Sequence, residues 1–443
     1  MTALELRPAR DAAARLAKLP GAVAHRRRQR VLIEWLRAGE VLVGVQQGER
    51  WVERVSLAGW SPGAPVPRDV VAVPANAEPA GSFRGHERRV ELGEVTAVLL
   101  QGTAGAGGIR RLRFEGPATA VEAACIAHGE ALALEVPRRG LAAEALGQEP
   151  GASALDAAGA TVREFVAALI PELAWPVLRW SEGARVASPE AVHQMRVAVR
   201  RLRSMLALLR EPLACPGSTA LRAGLRELAG SLGAARDWDV FLAGMGPELG
   251  ARLDGAAAGR LLAAGRRSQA AARARLALTL SGKPYRALEL RLACAATLRP
   301  WEYAEPPSAQ LDAPSSEFAA AVLAHAYRRV RRLGRGFDEL PTEALHELRK
   351  AGKRLRYGTE AFLPLFPRGP ARRYARRLAR LQETLGLLHD GRVAASLVAG
   401  LERAGSGYAG GWAAGLAAGR EPALRGEARD AWKRFRAASP FWT

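Results

Sequence analysis

The chain has 443 residues, 49% of them hydrophobic, and carries a formal net charge of +21. That length supports two to four domains with real cores, and the charge points to a polyanionic partner: nucleic acid, an anionic membrane surface or an inorganic polymer. Cys125, Cys215 and Cys294 are scattered, which excludes a disulfide framework or a CxxC motif, and no apolar run approaches the roughly 18–20 residues of a membrane span.

The opening MTALELRPAR has no signal-peptide apolar core, so a soluble cytoplasmic protein is expected. Asp11 to Gly21 reads as a short helix with Asp11 at its N-cap and Pro20-Gly21 as its stop. His25 to Arg30 (HRRRQR) reads as a solvated basic run. Arg30 to Leu57 reads as two or three strands, with turns at Gly39 and Gly48. Residues 60–82 are rich in Pro and Gly and read as loop. Val90–Leu100 and Ile109–Gly116 read as strands, and Ala118–Leu134 as a helix. Residues 1–150 are therefore expected to form an α+β domain. From about 153 the texture is helical to the end, broken by Arg299–Glu317 and by a glycine-rich loop or helix-breaking stretch at Gly405–Gly415. The basic excess follows this division. Residues 1–150 hold 20 basic and 17 acidic side chains, and residues 151–443 hold 45 and 27.

The helical part repeats itself. AVHQMRVAVRRLRSML (Ala191–Leu206) and ALHELRKAGKRLRYGTE (Ala344–Glu360) align when His193 is placed on His346. Arg196 then meets Arg349, Arg200 meets Lys353, Arg201 meets Arg354 and Arg203 meets Arg356. The same offset of 153 carries SLGAARDWD (Ser231–Asp239) onto TLGLLHDGR (Thr384–Arg392), with Gly233 on Gly386 and Asp237 on Asp390. Two motifs in order at one offset indicate a duplication, with repeats at about 153–305 and 311–443 and the seam in the Pro/Ser-rich break.

On a helical wheel Arg196, Arg200 and Arg203 fall within roughly 80° of His193. Met195, Val199, Leu202, Leu206 and Leu209 occupy the neighbouring arc. The cations therefore border a packed face, where like charges at i,i+3 and i,i+4 cost a few tenths of a kcal/mol per pair. Stored twice, such a stripe points to an anion. Its length, about 15 Å at roughly 1.5 Å per residue, suits a polymer whose charges repeat every few ångströms; Arg offers phosphate oxygens a fork and Lys a point charge. Arg328, Arg332 and Arg335, with the spacing of one helical face, and the pairs Arg222/Arg226 and Arg376/Arg380 are candidate additions. Asp237 and Asp390 read as caps or salt-bridge anchors, and Gly233 and Gly386 as sites of close packing or turning. No Walker loop, nucleophile elbow or metal-ligand spacing is present, so no cofactor, metal or catalytic residue is expected.

These motifs, HxxRVxxRRLRxxL with LGxxRDxDV and HELRKxxKRLRYxxE with LQxxLGxLxD, resemble those of the CHAD family, the conserved histidine α-helical domain. The likeness covers about 153–443, including the closing Pro440–Trp442. It implies two four-helix bundles related by a pseudo-twofold axis. It also implies a basic central channel for inorganic polyphosphate, lined by His193, Arg196, Arg200, Arg201, Arg203, His346, Arg349, Lys353, Arg354 and Arg356. Polyphosphate is then the expected partner, on polyphosphate granules where these occur. Nucleic acid is the alternative, disfavoured by an aromatic content of 6%.

The N-terminus resembles a degenerate CYTH domain, the triphosphate tunnel fold. The family's ExExK falls on Ala3, Glu5 and Arg7, Val41, Val43 and Val45 stand where an arginine ladder is expected, and Arg111 and Arg113 replace carboxylates. The resemblance thus implies an inactive relative. A metal-dependent triphosphatase with a substrate-gathering helical arm is the remaining alternative.

Overall fold

A computed structural model describes residues 2–24, 28–38, 41–46, 49–53, 76–105, 107–137, 141–147, 161–252, 255–402 and 407–443. The expected turns at Gly39 and Gly48, the run from His25 and the 150/153 boundary lie outside these residues, wholly or in large part.

The N-terminal part is an antiparallel sheet of β1 (Thr2–Leu6), β2 (Ala22–Ala24), β3 (Gln29–Ala38), β4 (Val41–Gln46), β5 (Glu49–Glu53), β6 (Glu78–Leu92), β7 (Val95–Ala104) and β8 (Gly107–Gly116). The strand order is β1-β8-β7-β6-β3-β4-β5, with β2 paired to β6. Three short helices accompany it: α1 (Ala12–Leu16), α2 (Ala118–His128) and α3 (Leu141–Ala145).

Several expectations shift here. The apolar run Val90–Leu100 is not one strand but the end of β6, a two-residue turn and the start of β7. Gly93 at φ 63° supplies the positive φ that such a turn needs. Glu78–Ser82, read as loop, is strand; Pro79 is tolerated because the β3–β6 register is irregular there, between Trp35 and Leu36. The α1 helix stops at Leu16, and the Asp11 side chain makes no cap bond. It accepts instead from Arg15 Nε at 2.8 Å. The α2 helix ends at His128, six residues short of the expected end.

Strand alternation divides the sheet's two faces. Leu4, Leu6, Leu112 and Phe114 join one large core that continues through α2 into the helical part. The opposite face carries Glu5, Arg111 and Arg113, with Glu5 opposite Arg113 in the β1–β8 register.

The helical part comprises α4 (Val162–Arg179), α5 (Ser181–Arg185), α6 (Pro189–Leu208), α7 (Ser218–Arg252), α8 (Gly255–Ser281), α9 (Lys283–Leu298), α10 (Ser315–Leu333), α11 (Thr342–Phe362), α12 (Arg368–Glu402) and α13 (Gly407–Arg436). Thr161 starts α4 with a capping box to Glu164. The helices α4 and α10 begin 153 residues apart, and so do α6 and α11. Contacts repeat as well: α4 packs on α6, α6 on α7 and α7 on α8, while α10 packs on α11, α11 on α12 and α12 on α13. The remaining long helix, α9, packs against α2, β1 and α4 and so ties the sheet to the bundle.

The glycine-rich stretch from Gly407 to Gly415 is helix, contrary to the expected loop or helix break. Ala413 and Trp412 pack with Phe241, Leu249, Val398 and Leu401, and this burial overrides the poor helix propensity of glycine. The closing Phe441 and Trp442 dock against Tyr374, with ring centroids 5.5 and 5.1 Å away. Among the described residues no helix is long and apolar enough to cross a membrane.

Candidate anion-binding site

The wheel reading of α6 holds for the packed arc and for three of the four stripe residues, Arg203 being exposed. Met195, Val199, Leu202, Leu206 and Leu209 are buried, while His193, Arg196 and Arg200 are half-buried beside them. On α11, Leu345, Leu348, Leu355 and Phe362 are buried, and His346, Arg349, Lys353 and Arg356 are half-buried. The helices α6 and α11 pack against each other, so the two rows share one seam. The helices α7 and α12 also touch and contribute Arg236 and Asp237, and His389 and Asp390.

The electrostatics follow from this crowding. Arg196, Arg200, Arg236, Arg349 and Lys353 lie within reach of one another's fields, with Asp237 and Asp390 as the opposing carboxylates. Asp237 sits 3.6 Å from Arg196. Burial raises the Asp237 carboxyl above its usual range, and Arg196 pulls the other way. Burial, with Arg200 and Arg196 adding and Asp390 opposing, lowers Arg349 to about 10. The guanidinium remains charged at any ordinary pH, so the lowering reflects chiefly the cost of burying that charge, with the neighbouring arginines adding to it. Burial, then Arg349, Arg200 and Arg196, lowers Lys353 to about 7. His193 and His346 are lowered chiefly by burial, and His389 is pushed down to about 3 by burial, Arg349 and His346. Both His193 Nδ1 and Arg349 Nε are buried without a hydrogen bond within the protein, the kind of polar atom that calls for an explanation.

Tyr357, buried on α11, fixes the seam. Its hydroxyl accepts from Arg200 Nε at 2.7 Å. The Arg200 and Arg356 guanidiniums lie 5.9 and 5.4 Å from its ring centre, and Arg356 also donates to Glu360 at 2.9 Å.

The other sequence candidates are distributed around this core. Arg203 lies near Arg226 and Arg354, a second cationic group with contributions from α6, α7 and α11. Arg201 is exposed. Arg222 donates to the Leu206 and Arg210 carbonyls and so closes the end of α6. Arg380 is held by Glu383 and Glu427. Arg328, Arg332 and Arg376 are exposed, and Arg335 lies past the end of α10, so the three α10-region arginines do not share one helical face. Asp237 and Asp390 stand inside long helices and are not caps. A Cβ at Gly233 or Gly386 would meet no atom within 4 Å, so these glycines mark neither a turn nor a close packing contact. Sequence reasoning leaves His389 and Arg236 out of the site, although the 153 offset that aligns Asp237 with Asp390 also aligns this pair. His389 stacks on His346 with ring centroids 4.8 Å apart.

The CHAD domain family profile matches residues 175–399, from inside α4 to near the end of α12, and so spans both basic rows. The chain belongs to the CHAD family. The crystal structure of the CHAD domain from the plant Ricinus communis aligns with a TM-score of 0.56 at 30% identity, covering 65% of this chain and 96% of that one. Two uncharacterised proteins from two strains of Mycobacterium tuberculosis are 34% identical over 200 residues, 42% of this chain and 36% of theirs. The matched region thus spans little more than a third of the length of those relatives.

A cavity of about 960 Å³ lies away from the CHAD seam, at the β7–β8 end of the sheet. Arg7, Arg10, Arg110, Arg111 and Glu144 are among its lining residues. Of its lining charges, Arg111 and Glu144 are paired with each other, and Glu5 and Arg113 stand behind them. Arg111 lies 3.3 Å from Glu5 and 2.6 Å from Glu144, Arg113 lies 3.7 Å from Glu5, and Glu5 also accepts from the Leu141 amide at 3.0 Å. Among the described residues no cluster of three or more His, Cys, Asp or Glu is placed to hold a metal ion.

Proposed function

We propose that this CHAD protein binds inorganic polyphosphate along the α6–α11 seam. The observation that carries the reading is the facing of two basic rows, Arg196 and Arg200 against Arg349 and Lys353, with too few carboxylates to balance them. A row about 15 Å long, at roughly 1.5 Å per residue, matches an extended polyanion better than a single phosphate. The unpartnered His193 Nδ1 and Arg349 Nε give it further polar contacts. In this reading α4, α6, α7 and α8 form one four-helix bundle, and α10 to α13 form its pseudo-twofold mate.

Single-stranded nucleic acid is the weaker candidate, because sequence-tolerant binding needs open aromatic faces on which bases stack. The Tyr and Phe rings of the seam's helices, Tyr357 and Phe362, are both buried; Tyr357 is already engaged with Arg200 and Arg356, and Phe362 stacks on Phe165. The N-terminal sheet is proposed to be a degenerate, non-catalytic CYTH-like domain. Glu5, the carboxylate that a tunnel enzyme would give to a metal, is enclosed by Arg111 and Arg113.

Calorimetric titration with long-chain polyphosphate and with single-stranded DNA, at matched phosphate concentration and physiological salt, tests the binding reading. Binding of polyphosphate at least about tenfold tighter (1.4 kcal/mol) is expected; equal affinities would reduce the seam to a general polyanion site. Incubation with tripolyphosphate and Mg²⁺ or Mn²⁺ is expected to release no phosphate. Turnover that is lost in Glu5→Gln would restore the triphosphatase reading.

A further inference from the structure

The two halves of the seam are not electrostatically equal. At the 153 offset Arg200 corresponds to Lys353 and Arg236 to His389. The α6–α7 side therefore holds guanidiniums, which stay charged. The α11–α12 side holds at the same positions an amine and an imidazole, which can give up their protons. Resting on the polyphosphate reading, we propose that anion binding is coupled to proton uptake, with the Lys353 amine taking one proton from solvent as the chain enters the seam.

The surroundings of Lys353 supply the driving force. From its own helix it faces Arg349, from α6 it faces Arg196 and Arg200, and from α12 it faces Asp390 and His389. The α7 carboxylate, Asp237, is engaged at 3.6 Å with Arg196. In the free protein the ammonium form thus meets three arginines and one opposing carboxylate in a half-buried position. A phosphate chain brings several negative charges to the same place and reverses that balance.

Burial and the three arginines hold Lys353 at about 7 in the free protein. A bound anion moves it back toward the ordinary lysine range near 10.4. Between those limits the bound state carries one more proton than the free state. By linkage, affinity then falls roughly tenfold for each pH unit of increase across the interior of that window. Below about pH 6 Lys353 is charged in both states and its coupling disappears. His389 is too strongly depressed to join at pH 8.

The test is titration calorimetry with long-chain polyphosphate at pH 8, in buffers of different ionisation enthalpy, so that the slope of heat against buffer enthalpy counts protons. A long chain keeps titratable end groups few. Wild type is expected to take up about one proton, and Lys353→Arg, which keeps the charge, close to none while still binding. The pH profile supplies a second reading that needs no variant. Wild-type affinity should weaken by some tens of fold from pH 7 to pH 9, against a near-flat profile for Lys353→Arg. Tight wild-type binding with no proton uptake at pH 8 would overturn the coupling and leave the binding site standing. Equal uptake in Lys353→Arg would overturn the assignment to Lys353. Absence of binding at any pH would overturn the polyphosphate reading itself, and the coupling with it.

Discussion

The double variant Arg349→Met/Lys353→Met is expected to melt at a higher temperature than wild type and to bind polyphosphate on the order of 100-fold more weakly or worse. Both effects come from the same crowding. Each lost charge-assisted contact is worth roughly 1.5–3 kcal/mol, and two such losses exceed a hundredfold in affinity. Methionine retains an apolar stem of similar reach, so the contacts of α11 with α6 are kept.

The stability gain has a definite sign. The Lys353 amine is lowered to about 7 in the folded protein, below its value in an unfolded chain. Its charged form therefore opposes folding. That penalty is full below about pH 7, shrinks as pH rises toward the unfolded value near 10.4, and is absent above it. A tenfold change in a proton-binding constant corresponds to roughly 1.4 kcal/mol. Partial solvent access reduces the total, so a gain on the order of 1–3 kcal/mol is expected at neutral pH. Thermal melts of wild type and variant at pH 7 and pH 9.5, beside titrations at pH 7, check this. A variant that is destabilised at pH 7, or that retains affinity, would mean that the seam is ordinary packing. A protein that gives up stability to hold uncompensated charge is storing it for a ligand.

The second large effect is salt. If five cations of the seam (Arg196, Arg200, Arg236, Arg349 and Lys353) neutralise five phosphates, counterion release by the single-strand rule gives a slope of roughly −3.5 in log K against log salt. Affinity then falls about 100-fold between 50 and 200 mM salt. Titrations across that range should return this slope, and a shallower one in Arg196→Ala. A slope near zero would show that the interaction is not made with the basic rows.

Much of the site is legible in the sequence because α-helical periodicity places residues on faces without knowledge of the rest of the fold. His193, Arg196 and Arg200 border Met195, Val199 and Leu202 as the wheel requires, and an exact offset carries the same pattern to α11. The pairing of α7 with α12 is not legible in that way, since it depends on where two 35-residue helices cross. His389 escapes sequence reasoning for this reason, although its counterpart Arg236 stands in a recognised motif. Arg328 and Arg376 are exposed and stand apart from the α6–α11 seam, and composition alone does not distinguish a solvated face from a ligand face. In the sheet the period-2 pattern locates strands but misses the turn at Gly93, where two strands share one apolar run. At Gly407–Gly415 helix propensity loses to packing against Phe241 and Val398.

The most direct measurement is a crystal structure of the protein grown with polyphosphate. The account predicts a phosphate chain lying along α6 and α11, with oxygens within hydrogen-bond distance of His193 Nδ1, Arg349 Nε and the Lys353 ammonium. A chain seated in the cavity lined by Arg7, Arg10 and Arg110, or on the exposed arginines of α10 with the seam bare, would contradict it.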